Sequence, residues 1–146
     1  MPNQALAYRE DTMDEEFLGW PFFSDSHRDF AKRISEFANN ELASLAAEAG
    51  EGHDQDLLDT TCRKLAKALG REGFLDHCVR ISADDKFDVR TLCLGRETLA
   101  RTAGLIDFTF AMQGLGSGPI SLFGSDEQRQ RYLLPVARGE SIAAFA

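Results

Sequence analysis

No stretch of these 146 residues approaches the roughly 18 consecutive apolar residues that a membrane-spanning helix needs. Cysteine is scarce. Cys62, Cys78 and Cys93 are odd in number and form no C-x-x-C pair, which argues against a disulfide framework and for a reduced, cytoplasmic setting. His27, His53 and His77 have no metal-ligand spacing and read as surface side chains, so no metal is expected. A Gly-rich phosphate loop, an internal repeat and a low-complexity tract are all missing. Basic residues are in deficit, 16 Lys and Arg against 24 Asp and Glu, and the deficit lies in residues 1–60, where 14 acidic face 4 basic side chains. Such a surface repels a phosphate backbone, which disfavours nucleic-acid binding. The opening Met1 to Glu16 is acidic and has no apolar core segment, so it resembles neither a secretory signal nor an Arg-rich transit peptide.

What remains is the composition of a globular domain: 43% hydrophobic and 27% charged residues in a chain long enough to bury a core. Residues 1–23 read as a polar leader followed by an aromatic segment, Phe17 to Phe23, expected to pack across the helices after it. Ser24 or Ser26 starts a long helix to Gly50, with Phe30, Ile34, Phe37, Leu42 and Leu45 near helical spacing. A second helix is expected from about Asp56 to Gly70 on a stripe of Leu58, Cys62, Leu65 and Leu69. The stretch His77 to Asp88 is irregular, and Cys78 within it is the cysteine expected to be exposed. Asp88 is positioned to cap a third helix whose stripe is Val89, Leu92, Cys93, Leu99, Ala100 and Ala103. A fourth, Leu105 to Leu115, is apolar on nearly every side, which marks a buried helix or the wall of an apolar cavity. Pro119 reads as the first turn of a separate short helix closed by Gly124.

The most informative stretch is Gly124-Ser125-Asp126-Glu127-Gln128-Arg129-Gln130-Arg131-Tyr132-Leu133-Leu134-Pro135, followed by Gly139-Glu140 and Ile142 to Ala146. Ser125 and Gln128 have the spacing of a capping box. Asp126 and Glu127 suit the positive end of a helix, Arg129, Arg131 and Arg138 come later, and Gly139 stops it. Ile142 to Ala146 reads as the start of a buried strand. A lone strand cannot pair its own backbone, so the expected architecture is an all-α bundle, residues 24–139, with residues 140–146 opening a β-domain that is cut short.

This order of residues resembles the acyl-CoA dehydrogenase family, whose G-T-x-x-Q-K-x-x-Y-L-P-x-L-x-x-G-E helix leads into the first strand of a flavin-binding middle domain. Leu65 to Leu75, Glu97 to Arg101, Gly118-Pro119-Ile120 and the helix opening Ser26-His27-Arg28 are similar to further family segments in the same order. Residues Arg80 to Phe87 depart from the family's P-x-E-x-G-G loop. The T-E-P-x-A-G-S-D motif and the carboxylate base of the family do not occur in this sequence, so no catalytic residue is expected in it. The resemblance implies an FAD-dependent oxidoreductase of fatty acid metabolism that places a double bond beside an acyl-CoA thioester. It further implies electron transfer to an electron-transfer flavoprotein, and a homotetramer or homodimer. The 146 residues would be an inactive fragment.

On this resemblance Phe108, Ala111, Met112 and Leu115 face the acyl-chain cavity. Their i, i+3, i+4, i+7 spacing puts them on one helix face, and plain core is the other reading of the same stripe. Phe145 and Ala146 are flavin contacts by the same resemblance, or else ordinary strand residues. Asp107 reads as a solvated or capping residue, not a base. A non-catalytic helical interaction module is the alternative to the redox role.

Overall fold

Phe30, Ile34, Ala38 and Leu42 recur every four residues, and this stripe drives the first helical rod onto the core. The computed structural model describes residues 15–50 and 53–144. A short 3-10 turn, Glu15–Gly19, precedes α1 (Asp25–Phe37), which passes through a π-type turn, Ala38–Leu42, into α2 (Ala43–Ala47). The expected single helix to Gly50 is therefore one rod with a widened turn in it. Ahead of it, Phe17 and Phe23 pack on the core while Trp20 and Phe22 remain exposed, so the aromatic segment is only half covered. The acidic leader, residues 1–14, lies outside the described residues.

Asp54 caps α3 (Gln55–Arg71) by accepting from the Leu57 amide at 3.1 Å, and α3 buries Leu65, Ala66, Ala68 and Leu69. A 3-10 turn, Phe74–Cys78, follows. Asp88 caps α4 (Val89–Thr102), its Oδ1 accepting from the amides of Arg90 and Thr91 at 3.1 and 3.4 Å. The buried face of α4 is rotated from the expected stripe. Val89 and Cys93 are exposed, and Thr91, Leu94, Gly95, Thr98 and Leu99 are buried. Gly95 makes the difference, because a Cβ there would stand 3.2 Å from the Phe110 ring and 3.4 Å from that of Phe30.

The expected fourth helix and short Pro119 helix are one element, α5 (Gly104–Phe123), with Pro119 inside it. Proline removes one ladder donor, but the final turn continues, closed by the Gly124 amide on the Ile120 carbonyl at 2.9 Å. The last segment is α6 (Asp126–Gln128), a π-type turn (Arg129–Leu133) and α7 (Leu134–Ala137), again one continuous path. Its π-type turn sits just before Pro135, where an α-helical bond to the proline nitrogen is impossible. The capping box is formed as expected: Ser125 Oγ accepts from the Gln128 amide at 3.2 Å, and Gln128 Oε1 from the Ser125 amide at 2.8 Å.

α4 packs against both α1 and α5, and α3 against α5. Ile34, Leu42, Leu65, Leu69, Leu75, Leu99, Ile106, Phe110 and Leu133 are fully enclosed between them. Gly139 ends the last helix at φ +66°, and a Cβ on it would collide with the Ala66 carbonyl; a Cβ on Gly70 would strike Arg138. The chain thus leaves the bundle in backbone contact with α3.

The described residues contain no strand. Residues 142–144 belong to no helix or ladder, and the Ala143 amide donates instead to Gln113 Oε1 at 2.9 Å. A strand needs a neighbour's backbone, and here a buried side chain supplies the acceptor. Phe145 and Ala146 lie outside the described residues. No described helix is long and apolar enough to cross a membrane.

Candidate functional site: the two faces of α5

An ordinary surface helix hides its apolar side. α5 does otherwise. Thr109, Gln113, Ser117 and Ser121, one every four residues, are buried, together with Ile106 and Phe110. Each polar group is satisfied, as burial demands. Thr109 Oγ1 donates to the Leu105 carbonyl at 2.8 Å, Gln113 Nε2 to the Thr109 carbonyl at 2.9 Å, and Ser117 Oγ to the Gln113 carbonyl. Ser121 Oγ accepts from the Arg80 amide at 3.2 Å. The expectation that this helix is apolar nearly all round is corrected on this side. The signal in the sequence is a polar residue at every fourth position, Thr109, Gln113, Ser117 and Ser121.

The opposite side of α5 is apolar and open. Phe108 is 61% exposed and Leu115 57%, while Ala111 and Met112 are half-buried. Leu122 and Phe123 extend the exposed surface to the end of the helix. The four residues assigned to the acyl cavity therefore share one outward face, and none belongs to the enclosed core.

Beside this face runs the segment Ser141–Ala144. It reaches α5 at Gly116, where a Cβ would stand 2.8 Å from both the nitrogen and the oxygen of Ala144. A cavity of about 260 Å³ opens there, lined by Gly116, Ile120, Tyr132, Val136, Ile142 and Ala144 among others.

Charge flanks the apolar face without entering it. Asp107 is bound by both arms of Arg96, 2.9 Å each, an ion pair joining α4 to α5, not a poised base. His27 is corrected from a surface residue to a buried one, 2% exposed. Its Nδ1 accepts from the Ser24 amide at 2.9 Å and its Nε2 meets Asp88 Oδ2 at 2.8 Å, so it ties the starts of α1 and α4 together. Burial weakens Asp88 as a carboxylate, yet the bonds from His27 and from the Thr91 and Arg90 amides outweigh that and hold its pKa below the usual range. Cys78 is likewise corrected, being 1% exposed, and burial pushes its thiol up to about 12. The exposed cysteine is Cys93.

Among the described residues no group of His, Cys, Asp and Glu is arranged to hold a metal ion. Of the glycines on α5, Gly116 is closed off by the Ala144 backbone of the same chain, whereas Gly104 and Gly118 face open space. The residues assigned to the flavin, Phe145 and Ala146, lie outside those described.

α5 thus turns a long apolar face outward, buries a polar residue at every fourth position beside Ile106 and Phe110, and packs on the capped 125–139 segment. The sequence model of the acyl-CoA dehydrogenase N-terminal domain matches residues 24–140. The chain belongs to the acyl-CoA dehydrogenase family, as an N-terminal helical domain. It is 29% identical over 126 residues to the short-chain specific acyl-CoA dehydrogenase of Megasphaera elsdenii, covering 84% of this chain and 32% of that protein. It is 29% identical over 136 residues to the caffeyl-CoA reductase-Etf complex subunit CarC of Acetobacterium woodii, with 86% and 32% covered. To a probable acyl-CoA dehydrogenase of Bacillus subtilis it is 32% identical over 126 residues, with 85% and 20% covered. The chain thus spans about a third or less of these relatives.

Proposed function

We propose that this chain is the N-terminal part of an FAD-dependent acyl-CoA dehydrogenase and supplies one wall of its acyl-chain cavity. The observation that carries this reading is the outer face of α5, where Phe108, Met112 and Leu115 turn outward, opposite the buried Thr109, Gln113, Ser117 and Ser121. An acyl chain against that face is held by removal from water, about 0.8 kcal/mol for each CH₂ buried. The same removal dries the reacting end of the thioester. When bound, FAD would supply the hydride acceptor. Residues 24–139 are proposed as the helical domain and 140–146 as the start of the flavin-binding one, with Phe145 and Ala146 at the cofactor. The Acetobacterium woodii relative is named as part of an Etf complex, and an electron-transfer flavoprotein is the proposed redox partner of the intact, homo-oligomeric, cytoplasmic enzyme. The direction of the reaction follows the partner, because relatives carry both dehydrogenase and reductase names.

Met112→Trp in the intact enzyme tests the wall. A flexible thioether gives way to a rigid indole, so the preferred acyl chain shortens while the cofactor stays bound. An unchanged chain-length profile in a folded variant makes Met112 an ordinary packing residue.

A further inference from the structure

Among the described residues, Gln113 is the buried α5 side chain that holds on to the segment leaving the bundle. It is 1% exposed, and both ends of its carboxamide are spent. Nε2 is anchored on the Thr109 carbonyl of its own helix at 2.9 Å, which aims Oε1 at the Ala143 amide, also at 2.9 Å. Only an oxygen can accept from that amide, so the orientation of the carboxamide is fixed by its partners. Three residues along, Gly116 lets the Ala144 backbone close onto the helix, at a distance no side chain tolerates. Gly116 is adjacent to Leu115 and one turn beyond Met112. This segment is therefore laid along the edge of the outward apolar face, not elsewhere on the bundle.

We propose that Gln113 is a positioning residue that sets the width of the acyl slot, by fixing residues 142–144 as the shoulder of the Phe108–Met112–Leu115 wall, with Gly116 as the seat of that shoulder. This rests on the acyl-slot reading above. Gln113 touches no substrate in this scheme; it acts through Ala143 and Ala144. The physical cause is a hydrogen bond from the half-buried Ala143 amide to a buried acceptor. An orphaned carboxamide or amide there is costly, so the segment has one position and not a range of them.

Two variants break the same bond from opposite ends. Gln113→Met keeps the side-chain length and removes the acceptor. Ala143→Pro removes the donor from an irregular segment and leaves the helices intact. In the intact enzyme both are expected to alter the ratio of kcat/KM between straight-chain acyl-CoA thioesters that differ by one CH₂, by about fourfold for each CH₂ whose burial changes. KM carries the change more than kcat, since the slot and not the reacting end is disturbed. Amide hydrogen exchange on the 146-residue chain gives a readout independent of turnover: the Ala143 amide is protected in wild type and loses protection in Gln113→Met. An unprotected Ala143 amide in wild type overturns the proposal. So do chain-length ratios equal to wild type in both folded variants while Met112→Trp shifts them, an outcome that leaves the slot itself standing. If Met112→Trp and both bond-breaking variants all leave the ratios unchanged, the slot reading fails and this one with it.

Discussion

Ser125 shows how much one hydroxyl does at a helix start. It accepts from the Gln128 amide while Gln128 returns the bond, and it opens a segment that no longer has regular α geometry by Arg129. Ser125→Ala leaves a first-turn donor unpaired and is expected to lower stability by about 0.5–2 kcal/mol; a melting temperature equal to wild type removes Ser125 as a cap. The cysteines separate by environment. Cys93 is exposed on α4, whereas Cys78 is enclosed with its thiol pushed up to about 12. The thiolate is the reacting species, so a thiol reagent at neutral pH should label Cys93 in the folded chain and reach Cys78 only on unfolding. Equal labelling rates contradict the burial of Cys78.

At the scale of elements, α1 and α4 are joined at their starts by one carboxylate. Asp88 caps α4 and meets His27 of α1. Its pKa is lowered in the folded chain from an ordinary value of 3.8. A lowered carboxylate contributes stability that is fully present above the unfolded value and is lost as the pH falls through the folded one. Acid unfolding followed below about pH 4 should therefore show less pH dependence in Asp88→Asn than in wild type. Superimposable acid limbs exclude the contribution. Elements also explain the two π-type turns. One immediately precedes Pro135, whose ring forbids the bond that a regular turn needs. For the other, Ala38–Leu42, the structure shows no comparable cause.

The whole molecule carries a contradiction that an isolated bundle does not resolve. Its net charge of −8 keeps copies apart, yet α5 presents Phe108, Leu115, Leu122 and Phe123 to the outside. Contiguous apolar surface of this kind marks a place of association. The 146-residue chain alone is expected to self-associate through this face, more so at high salt, where repulsion is screened. Light scattering on wild type and on the double variant Phe108→Lys, Leu115→Lys checks it. The variant should be the more monomeric with its helices intact, and a wild type that is monomeric throughout refutes the role of this face. Residues 142–144 offer no comparable free edge, because the Ala143 amide is bound back onto α5.

Local chemistry made much of this legible beforehand. Helix starts at Asp88 and Ser125, the stop at Gly139 and the family likeness of residues 124–140 all follow from residue types at fixed spacing, because caps and turns are settled within a few residues. The i, i+3, i+4, i+7 spacing of Phe108, Ala111, Met112 and Leu115 likewise guaranteed that they share a face once the helix formed. Which way that face points is a different matter. Periodicity gives the phase of a stripe but not its partner, and on the inward side of α5 Gln113 and Ser121 meet backbone donors, Ala143 and Arg80, from distant parts of the chain. The same holds for His27, whose burial depends on Asp88, 61 residues away, and for Cys78, enclosed by packing against α5. It holds too for the path of residues 142–144, where a side chain took the place of a neighbouring strand. The sequence by itself determined the caps at Asp88 and Ser125, the stop at Gly139 and what kind of domain the helices make; only the tertiary structure decided that the chain stays helical through Pro119 and which faces are covered, since burial belongs to pairs of surfaces that sequence spacing does not bring together.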